Sequence, residues 1–583
     1  MILQSFPLGV DPYPHQREVL LELEKALADP EKKFIILRAP TGSGKSAIAL
    51  TAALHTVAQG GSAHLLASHR FLQEQYQREY ANKGLRLLWG KANYPCGYAE
   101  KTRFRNMDGT AVNCEQCPAS RRGRSFIREK CTSSGGTIGD LCPYTIAKRE
   151  AQSSKIALNN YASFLVHTEY CDTFKKRPLM IIDEAHLIAD KVSSFVSVDV
   201  IVSDILDKEA RRSVPLGATA EKYLSWINRT LVPSLERKAS QALVSAGYAA
   251  NTPIEKVEKD FPLGAGAHSG LGETPQMAAI RLTKLLSRTY ALTEHISKSP
   301  NNWVCYEHLT KRGSLDRLEF TPVVVGGLAH QYLFNYADKV ILMSATLNHG
   351  PFLKDLAIRK SSVSTYLDVP SVFPLTTRPL IADFCGSMSY KSKEATIPKV
   401  AAKVMEIMHR HSGEKGVIHT HSFQNAALLR DLLEEDFSDK IVWHEPGQKA
   451  EDVLEEYLSE EDTWLASASV TEGLDGKGND VRVQIIIKAP YPSLADPKVK
   501  KRMEARDGSA WYSVEASNRL IQAYGRGTRS PDDYSVTYLL DSGITRVINN
   551  SSKYSPSWVK RAWRYSHQNN WKWDSSTRRW ELS

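Results

Sequence analysis

Short apolar runs recur along this chain, and several are followed by a glycine-rich or an acidic segment. Phe34 to Leu37 is apolar and β-branched, which predicts a buried strand, and the helix-forming run Ala47 to Leu50 follows after a glycine loop. Leu179 to Ile182 predicts a second strand, which ends at two adjacent carboxylates. Strands that alternate with helical segments are typical of parallel sheets covered by helices. The pattern therefore predicts an α/β fold.

Changes in this alternating pattern divide the 583 residues into several regions. Gly416 to Thr420 and Val483 to Ile487 mark strands of a second lobe, whereas residues 191–334 contain pieces of helix and a glycine-rich connection. We expect a first parallel-sheet lobe in residues 1–95, 143–190 and 335–380, a cysteine-rich insertion in 96–142, a helical insertion in 191–334, and a second parallel-sheet lobe with an aromatic and basic C-terminal extension in 381–583.

The loop after the first predicted strand has the composition of a phosphate-binding loop. Its residues are Ala39, Pro40, Thr41, Gly42, Ser43, Gly44, Lys45 and Ser46. The glycines allow backbone N–H groups to turn toward phosphates, Lys45 would reach the β and γ phosphates, and Ser46 would hold Mg²⁺. Ala39 stands where the general pattern has glycine, but the Gly-Lys-Ser core is intact. The loop predicts that the protein binds ATP with Mg²⁺.

Two further segments supply the other groups that phosphoryl transfer needs. Asp183 and Glu184 follow a predicted strand, so we expect Asp183 to hold Mg²⁺ and Glu184 to orient or deprotonate the attacking water. Gln522, Arg526 and Arg529 lie near the other end of the chain. The two arginines would share one face of a helix and reach a nucleotide held by the first lobe.

With these residues in view, the chain resembles the DEAH-type helicases of superfamily 2, and more narrowly the XPD and DinG group of iron-sulfur helicases. Gln16 lies in a segment similar to the adenine-reading Q motif, and Ser68-His69-Arg70 is similar to a strand-contacting motif. Ser344-Ala345-Thr346 is similar to the coupling motif III, and Glu472, Gly473 and Asp475 belong to a segment similar to motif V. The resemblance implies two RecA-like motor lobes, an inserted cluster domain and an Arch-like insertion.

Five of the eight cysteines fall within the insertion at 96–142. Because no signal peptide precedes them, disulfides are not expected, and metal or cluster ligation is favoured. The resemblance implies a [4Fe–4S] cluster on Cys96, Cys114, Cys117 and Cys142, with Cys131 as an alternative ligand. A four-thiolate zinc site is the main competing interpretation. Cys171, Cys305 and Cys385 are expected to be ordinary thiols.

The formal net charge of +10 and the pI near 9.0 favour a nucleic-acid partner. No apolar run is long enough to span a bilayer, and we expect a cytoplasmic monomer. Near the C-terminus, tryptophans alternate with lysines and arginines. They predict either base stacking or anchoring of the extension onto the second lobe.

Together these features favour an ATP-dependent DNA helicase or translocase that acts on single-stranded and forked DNA. The resemblance implies movement from 5′ to 3′. An RNA-directed DEAH motor and an ATP-switched nucleic-acid clamp that unwinds nothing are the alternatives. The Arch-like insertion is a candidate surface for protein partners.

Overall fold

The computed structural model describes residues 1–7, 9, 11–40, 42–68, 70–95, 142–253, 275–348, 350–468, 478–528 and 533–583. These residues form two parallel sheets, one antiparallel sheet of three strands and one hairpin. The predicted α/β class with two RecA-like parallel-sheet lobes is confirmed. Among the described residues, every helix is too short or too polar to cross a lipid bilayer.

Seven parallel strands form the sheet of the first lobe, in the order β10-β1-β9-β5-β2-β4-β3. Helices cover both faces of this sheet, so its strands are apolar on both sides. In the strand Phe34–Arg38, for example, Phe34 and Ile36 enter one core cluster while Ile35 and Leu37 enter another. The strands are β1 Phe34–Arg38, β2 Ala63–Ala67, β3 Leu85–Leu88, β4 Ile156–Asn160, β5 Arg177–Ile182, β9 Ala337–Ser344 and β10 Val363–Asp368, with β6 to β8 in the insertion described below.

The second lobe has a six-stranded parallel sheet in the order β11-β16-β15-β12-β14-β13. Close packing fixes its centre: a Cβ atom at Gly416 would lie 2.4 Å from the ring of Trp464 on the neighbouring strand. Only glycine fits there. The strands are β11 Leu380–Gly386, β12 Gly416–His419, β13 Ile441–Trp443, β14 Trp464–Ser467, β15 Val483–Ile486 and β16 Val536–Asp541.

The described part of the insertion that interrupts the first lobe, expected at residues 191–334, contains helices and an antiparallel sheet. This sheet joins β6 (Val198–Ile201), β8 (Leu315–Pro322) and β7 (Trp303–Leu309). Sequence patterns predicted only helices here, because β6 pairs with a strand more than a hundred residues away and is itself only four residues long.

Helices connect the strands of both lobes and make up most of the described insertion. In the first lobe and the insertion they are α1 Pro14–Ala28, α2 Lys45–Ala58, α3 Arg70–Tyr80, α4 Pro143–Ser153, α5 Tyr161–Glu169, α6 Ile188–Val196, α7 Val202–Ile205, α8 Lys208–Arg212, α9 Ala220–Trp226, α10 Val232–Ser245, α11 Pro275–Lys298, α12 Gly326–Tyr332 and α13 Pro351–Asp355. In the second lobe they are α14 Lys393–Arg410, α15 Phe423–Arg430, α16 Glu435–Ser438, α17 Ala450–Ser459, α18 Pro497–Met503, α19 Gly508–Tyr524, α20 Gly543–Ser551 and α21 Ser557–Arg564.

The C-terminal extension packs onto the second lobe through its tryptophans. Trp571 and Trp580 lie on the hairpin β17 (Trp571–Asp574) and β18 (Arg579–Leu582), and both are buried in the core of the lobe. The indole N–H of Trp580 donates to the hydroxyl of Tyr538 at 2.7 Å. Of the two sequence interpretations, the structure supports anchoring for these tryptophans.

Candidate nucleotide site at the seam of the two lobes

The predicted phosphate loop and the predicted carboxylates meet at one edge of the first sheet. Strands β1, β9 and β5 are neighbours in that sheet and run parallel, so their C-terminal ends lie side by side. β1 leads into the phosphate loop, β9 ends at Ser344, and β5 leads into Asp183 and Glu184. The carboxyl edge of a parallel sheet is where such folds bind ligands.

Two glycines give the phosphate loop its shape. Gly42 and Gly44 have φ angles of 76° and 78°, in the left-handed region that side chains with a Cβ disfavour. Helix α2 begins directly after Gly44, at Lys45, so its first N–H groups face the same space as Lys45. Inside the loop, the hydroxyl of Ser43 donates to the carbonyl of Pro40 at 2.7 Å. Thr41 lies outside the described residues.

Gln16 on α1 contacts the phosphate loop through its side-chain amide. Its side-chain oxygen accepts from the backbone N–H of Tyr13 at 3.0 Å, and its side-chain nitrogen donates to the carbonyl of Ser43 at 3.3 Å. A Cβ atom at Gly44 would lie 2.1 Å from that nitrogen. Both ends of the buried Gln16 amide are therefore engaged with the chain itself, and its expected contact with adenine stays a prediction.

Lys45 and Glu184 form an ion pair in the site. Their Nζ and Oε1 atoms are 2.9 Å apart, and the Lys45 side chain is only 11% exposed. Burial alone would raise the pKa of Glu184, but Lys45 and His186 outweigh it and hold this pKa well below its usual value. Glu184 is therefore an ionised carboxylate, as a residue that positions or deprotonates water must be.

Asp183 is buried behind this pair. The hydroxyl of Tyr76 donates to Oδ2 of Asp183 at 3.1 Å, and the backbone N–H of Glu184 donates to Oδ1 at 2.9 Å. Tyr161 donates to the backbone carbonyl of Asp183 at 2.8 Å. Burial raises the pKa of Asp183 to about 6. Ser46, the other expected Mg²⁺ ligand, is the second residue of α2, and its side chain lies near enough to Tyr76 to lower the pKa of that hydroxyl, although burial and Asp183 raise this pKa overall.

Tyr76 was missed by sequence reasoning. The spacing of Gln73, Tyr76 and Tyr80 on α3 marks only a buried helix face, and nothing local connects that face with Asp183. The contact spans 107 residues of chain.

A series of polar contacts links Glu184 with the second lobe. Oε2 of Glu184 accepts from the hydroxyl of Ser344 at 3.2 Å, and Nδ1 of His186 lies 2.8 Å from the same hydroxyl. The backbone N–H of Thr346 donates to Ser344 at 3.4 Å, and the amide nitrogen of Gln522 lies 3.5 Å from the Thr346 hydroxyl. The structure therefore brings predicted site residues from both lobes into one network.

Arg526 is placed differently from the sequence prediction. Helix α19 ends at Tyr524, so Arg526 lies in the turn that follows the helix. It lies near His419 at the end of β12, and burial, assisted by this positive charge, lowers the pKa of His419 to about 4. The expectation that Arg526 and Arg529 share a helix face was wrong for Arg526, because α19 ends at Tyr524 and the chain turns before it reaches Arg526.

Several predicted residues lie outside the described residues. They are His69, Cys96, Cys114, Cys117, Cys131, Glu472, Gly473, Asp475 and Arg529. Of the predicted cluster ligands only Cys142 is described; it is half-buried and immediately precedes α4. Within the described ranges, no group of three or more His, Cys, Asp or Glu side chains is arranged to hold a metal ion.

Comparisons with known proteins agree with this architecture. Residues 9–222 match the family described as type III restriction enzyme, res subunit, and residues 404–562 match the helicase C-terminal domain. The ATP-dependent DNA helicase YoaA of Escherichia coli (strain K12) is 21% identical over 611 residues, which cover 92% of each protein. The Fanconi anemia group J protein homolog of Gallus gallus is 28% identical over 158 residues, 24% of this chain and 12% of that protein.

Solved structures show the same fold. A structure described as XPD_Helicase matches with a TM-score of 0.60 and 16% identity, over 93% of this chain and 98% of that chain. A second, XPD_APO, matches with a TM-score of 0.53 and 14% identity, over 92% of this chain and 98% of that chain.

The first lobe carries a phosphate loop and an acidic pair, the second lobe contributes a glutamine to the same network, and residues 404–562 match a helicase C-terminal domain, which together identify an ATP-dependent helicase enzyme. The chain is similar to the XPD/DinG-like helicases of superfamily 2, in sequence through YoaA and in fold through the XPD structures.

Proposed function

We propose that the protein is an ATP-dependent DNA helicase that translocates on single-stranded DNA from 5′ to 3′ and unwinds duplex ahead of it. The observation that carries the proposal is the contact series from Lys45 through Glu184, Ser344 and Thr346 to Gln522. Through such a series, nucleotide binding beside Lys45 can change the position of Gln522 and therefore of the second lobe.

The first step is a change of partner for Lys45. In the structure its ammonium group is paired with Glu184. The γ-phosphate of bound ATP competes with Glu184 for the Lys45 ammonium group. When Lys45 turns to the phosphate, the Glu184 carboxylate is left to orient the attacking water and to accept a proton from that water. Mg²⁺, held by Ser46 and Asp183, would neutralise phosphate charge. His186 and Ser344 keep the second oxygen of Glu184 in place throughout.

Closure of the lobes then drives movement along the strand. Gln522 and the arginine-containing segment after α19 approach the nucleotide when the lobes close, and they withdraw after hydrolysis. A strand gripped alternately by the two lobes advances with each cycle. Opening a DNA base-pair step costs on average ~1.4 kcal/mol, which stacking and phosphate contacts of a basic protein can supply.

We further propose that the cysteine-rich insertion binds a [4Fe–4S] cluster through Cys96, Cys114, Cys117 and Cys142, with Cys131 as the alternative ligand and zinc as the competing metal. The position of Cys142 supports this proposal, because its thiol is half-buried where the insertion rejoins the first lobe. Iron and sulfide in about fourfold stoichiometry in anaerobically purified protein would support the cluster. One equivalent of zinc without iron would refute it.

The function itself is tested with matched nucleic acids. ATP hydrolysis is measured without a strand, with single-stranded DNA and with RNA of the same sequence. Displacement is then measured on duplexes that carry a 5′ or a 3′ tail. The proposal requires stronger stimulation by DNA than by RNA and displacement only with the 5′ tail. Preference for RNA would favour the RNA-directed motor, and stimulation without displacement would favour a clamp.

We also propose that the protein is a cytoplasmic monomer that binds partners through its Arch-like insertion.

A further inference from the structure

Arg38 is the last residue of β1, one residue before the phosphate loop begins at Ala39. Its side chain is only 10% exposed, and its guanidinium group faces three neighbouring segments. No sequence motif singles it out. It makes four hydrogen bonds, which occupy four of the five N–H donors that an arginine carries.

Two of these bonds join the phosphate-loop strand to the edge strand. Nε and Nη2 of Arg38 donate to the two carboxylate oxygens of Asp368, at 3.0 and 2.5 Å. Arg38 and Asp368 are directly paired in the register of β1 and β10. This two-point geometry fixes the plane of the guanidinium group, and therefore the direction in which Nη1 points.

Nη1 of Arg38 makes one hydrogen bond to each lobe. It donates to the carbonyl of Leu347 at 3.4 Å and to the carbonyl of Tyr554 at 2.9 Å. Leu347 directly follows Thr346, the first-lobe partner of Gln522. Tyr554 belongs to the turn between α20 and α21 of the second lobe.

The Tyr554 turn is seated tightly on the first lobe. A Cβ atom at Gly350 would lie 2.7 Å from the Tyr554 ring, so this ring packs directly on the Gly350 backbone. The nearby contact between Gln522 and Thr346 is long, at 3.5 Å. The seam therefore has a close contact at Arg38, Gly350 and Tyr554, another at Asp355 and Arg502, and a loose contact at Thr346 and Gln522. A rotation of the second lobe about the close contacts changes the loose one.

We propose that Arg38 is a positioning residue for the stimulation of ATP turnover by a bound strand: it forms part of the pivot on which the second lobe turns, and it transmits the position of that lobe to the phosphate loop and to the segment that holds Ser344. The proposal rests on the proposed function, because a pivot matters only if the lobes move with ATP. Lysine cannot replace arginine here, since one ammonium group cannot hold Asp368 in two places and reach Tyr554 as well.

The test compares Arg38→Lys and Arg38→Gln with Asp368→Asn. ATP KM, strand-free turnover and the stimulation of turnover by single-stranded DNA are measured for each, together with the thermal midpoint. The Arg38 variants should keep ATP KM and strand-free turnover near the wild-type values and lose about tenfold in stimulation, a size typical of coupling between sites. Asp368→Asn should lower the thermal midpoint in the same way but lose less of the stimulation than Arg38→Gln does, because the asparagine oxygen still accepts one of the two Arg38 bonds and Arg38 can still donate to Tyr554.

Gly350→Ala provides a second variant that leaves every charged group in place. The added methyl group would clash with the Tyr554 ring and change where the second lobe packs on the first. The variant should therefore also reduce the stimulation of ATP turnover by single-stranded DNA. It decides the question if the Arg38 variants do not fold. Normal stimulation in folded Arg38→Gln or in Gly350→Ala would overturn the pivot, as would equal losses in Arg38→Gln and Asp368→Asn. If the wild-type protein itself shows no stimulation by DNA or RNA, the proposed function fails instead.

Discussion

Lys45 and Glu184 form an ion pair in this structure, so the ability of Glu184 to accept a proton depends on the position of the Lys45 ammonium group. Replacing Glu184 with glutamine keeps the size of the side chain and removes its ability to accept a proton. We expect ATP binding to persist and turnover to fall by about 10² to 10⁴. Binding is measured with a fluorescent ATP analogue and turnover by phosphate release.

Glu22→Gln on α1 is the matched control, because Glu22 is exposed and pairs only with Lys25 on the same helix. It should behave as the wild type does. Turnover in Glu184→Gln within a factor of about two of the wild type would remove Glu184 from the chemistry.

Buried neutral histidines give the first lobe an acid-sensitive core. His64 on β2 is fully buried between Phe164 and Phe174, with Nε2 2.9 Å from the carbonyl of Lys175. Burial, with the nearby charge of Arg177, lowers the pKa of His64 to about 3. Between about pH 6.5 and this value the unfolded chain binds a proton that the folded lobe does not, so the stability of the lobe falls as the pH falls.

His64→Gln should therefore flatten the decline of the thermal midpoint between pH 6.5 and pH 4.5, even though the variant starts from a lower midpoint at neutral pH. The exposed His409→Gln on α14 is the control and should leave the decline as steep as in the wild type. An unchanged slope in His64→Gln would mean that other groups set the acid sensitivity.

At the scale of elements, the junction between the phosphate loop and α2 is the most constrained point of the fold. Gly44 combines a φ of 78° with the approach of the Gln16 side chain to within 2.1 Å of an added Cβ. Gly44→Ala should displace Gln16 and the loop, and raise ATP KM by at least about tenfold, as measured by steady-state hydrolysis.

Gly60→Ala separates the effect of a positive φ angle from the effect of the contact with Gln16. Gly60 follows the same helix, has a φ of 85°, and has no atom within 4 Å of an added Cβ. This variant should cost roughly 1 kcal/mol of stability and leave ATP KM unchanged. If both variants affected ATP KM equally, backbone strain rather than the contact with Gln16 would be the cause.

At the scale of the whole molecule, α18 of the second lobe holds the insertion and the first lobe together. Arg502 on α18 is 5% exposed and donates to Asp355 of the first lobe at 2.8 Å and to Asp507 of its own lobe at 3.0 Å. Just before the helix, Asp496 accepts from Tyr306 of the insertion at 2.7 Å. The described insertion is thus connected to both lobes at this point.

Arg502→Ala should loosen this junction, since it leaves the carboxylate of Asp355, whose side chain is only 18% exposed, without its cation. The cost expected for breaking a buried pair is about 3–5 kcal/mol, visible as a lower first thermal midpoint. Adding Asp355→Asn should recover part of the loss, and the exposed Arg506→Ala should cause none. A double variant no more stable than Arg502→Ala would show that Asp355 carries no penalty.

The phosphate loop, the acidic pair and the strands that lead into them could be predicted from the sequence, because each of these depends on neighbouring residues. An apolar run such as Phe34 to Leu37 reports burial on both faces, and a glycine-lysine-serine core after a strand has a definite local geometry. The end of α19 was predicted too far along the chain: the helix stops at Tyr524, and Gly525 has a φ of −79°, so its ability to adopt a left-handed backbone did not mark that end.

The contacts between these parts, in contrast, follow from the packing of the whole chain. The pair of Lys45 with Glu184 spans 139 residues, the approach of Gln522 to Thr346 spans 176, and the bond from Arg38 to Tyr554 spans 516. The antiparallel sheet of the insertion and the burial of Trp571 and Trp580 arise in the same way. Local propensity cannot specify such contacts, because they depend on how complete sheets and helices pack and bring distant side chains within a few ångströms of one another.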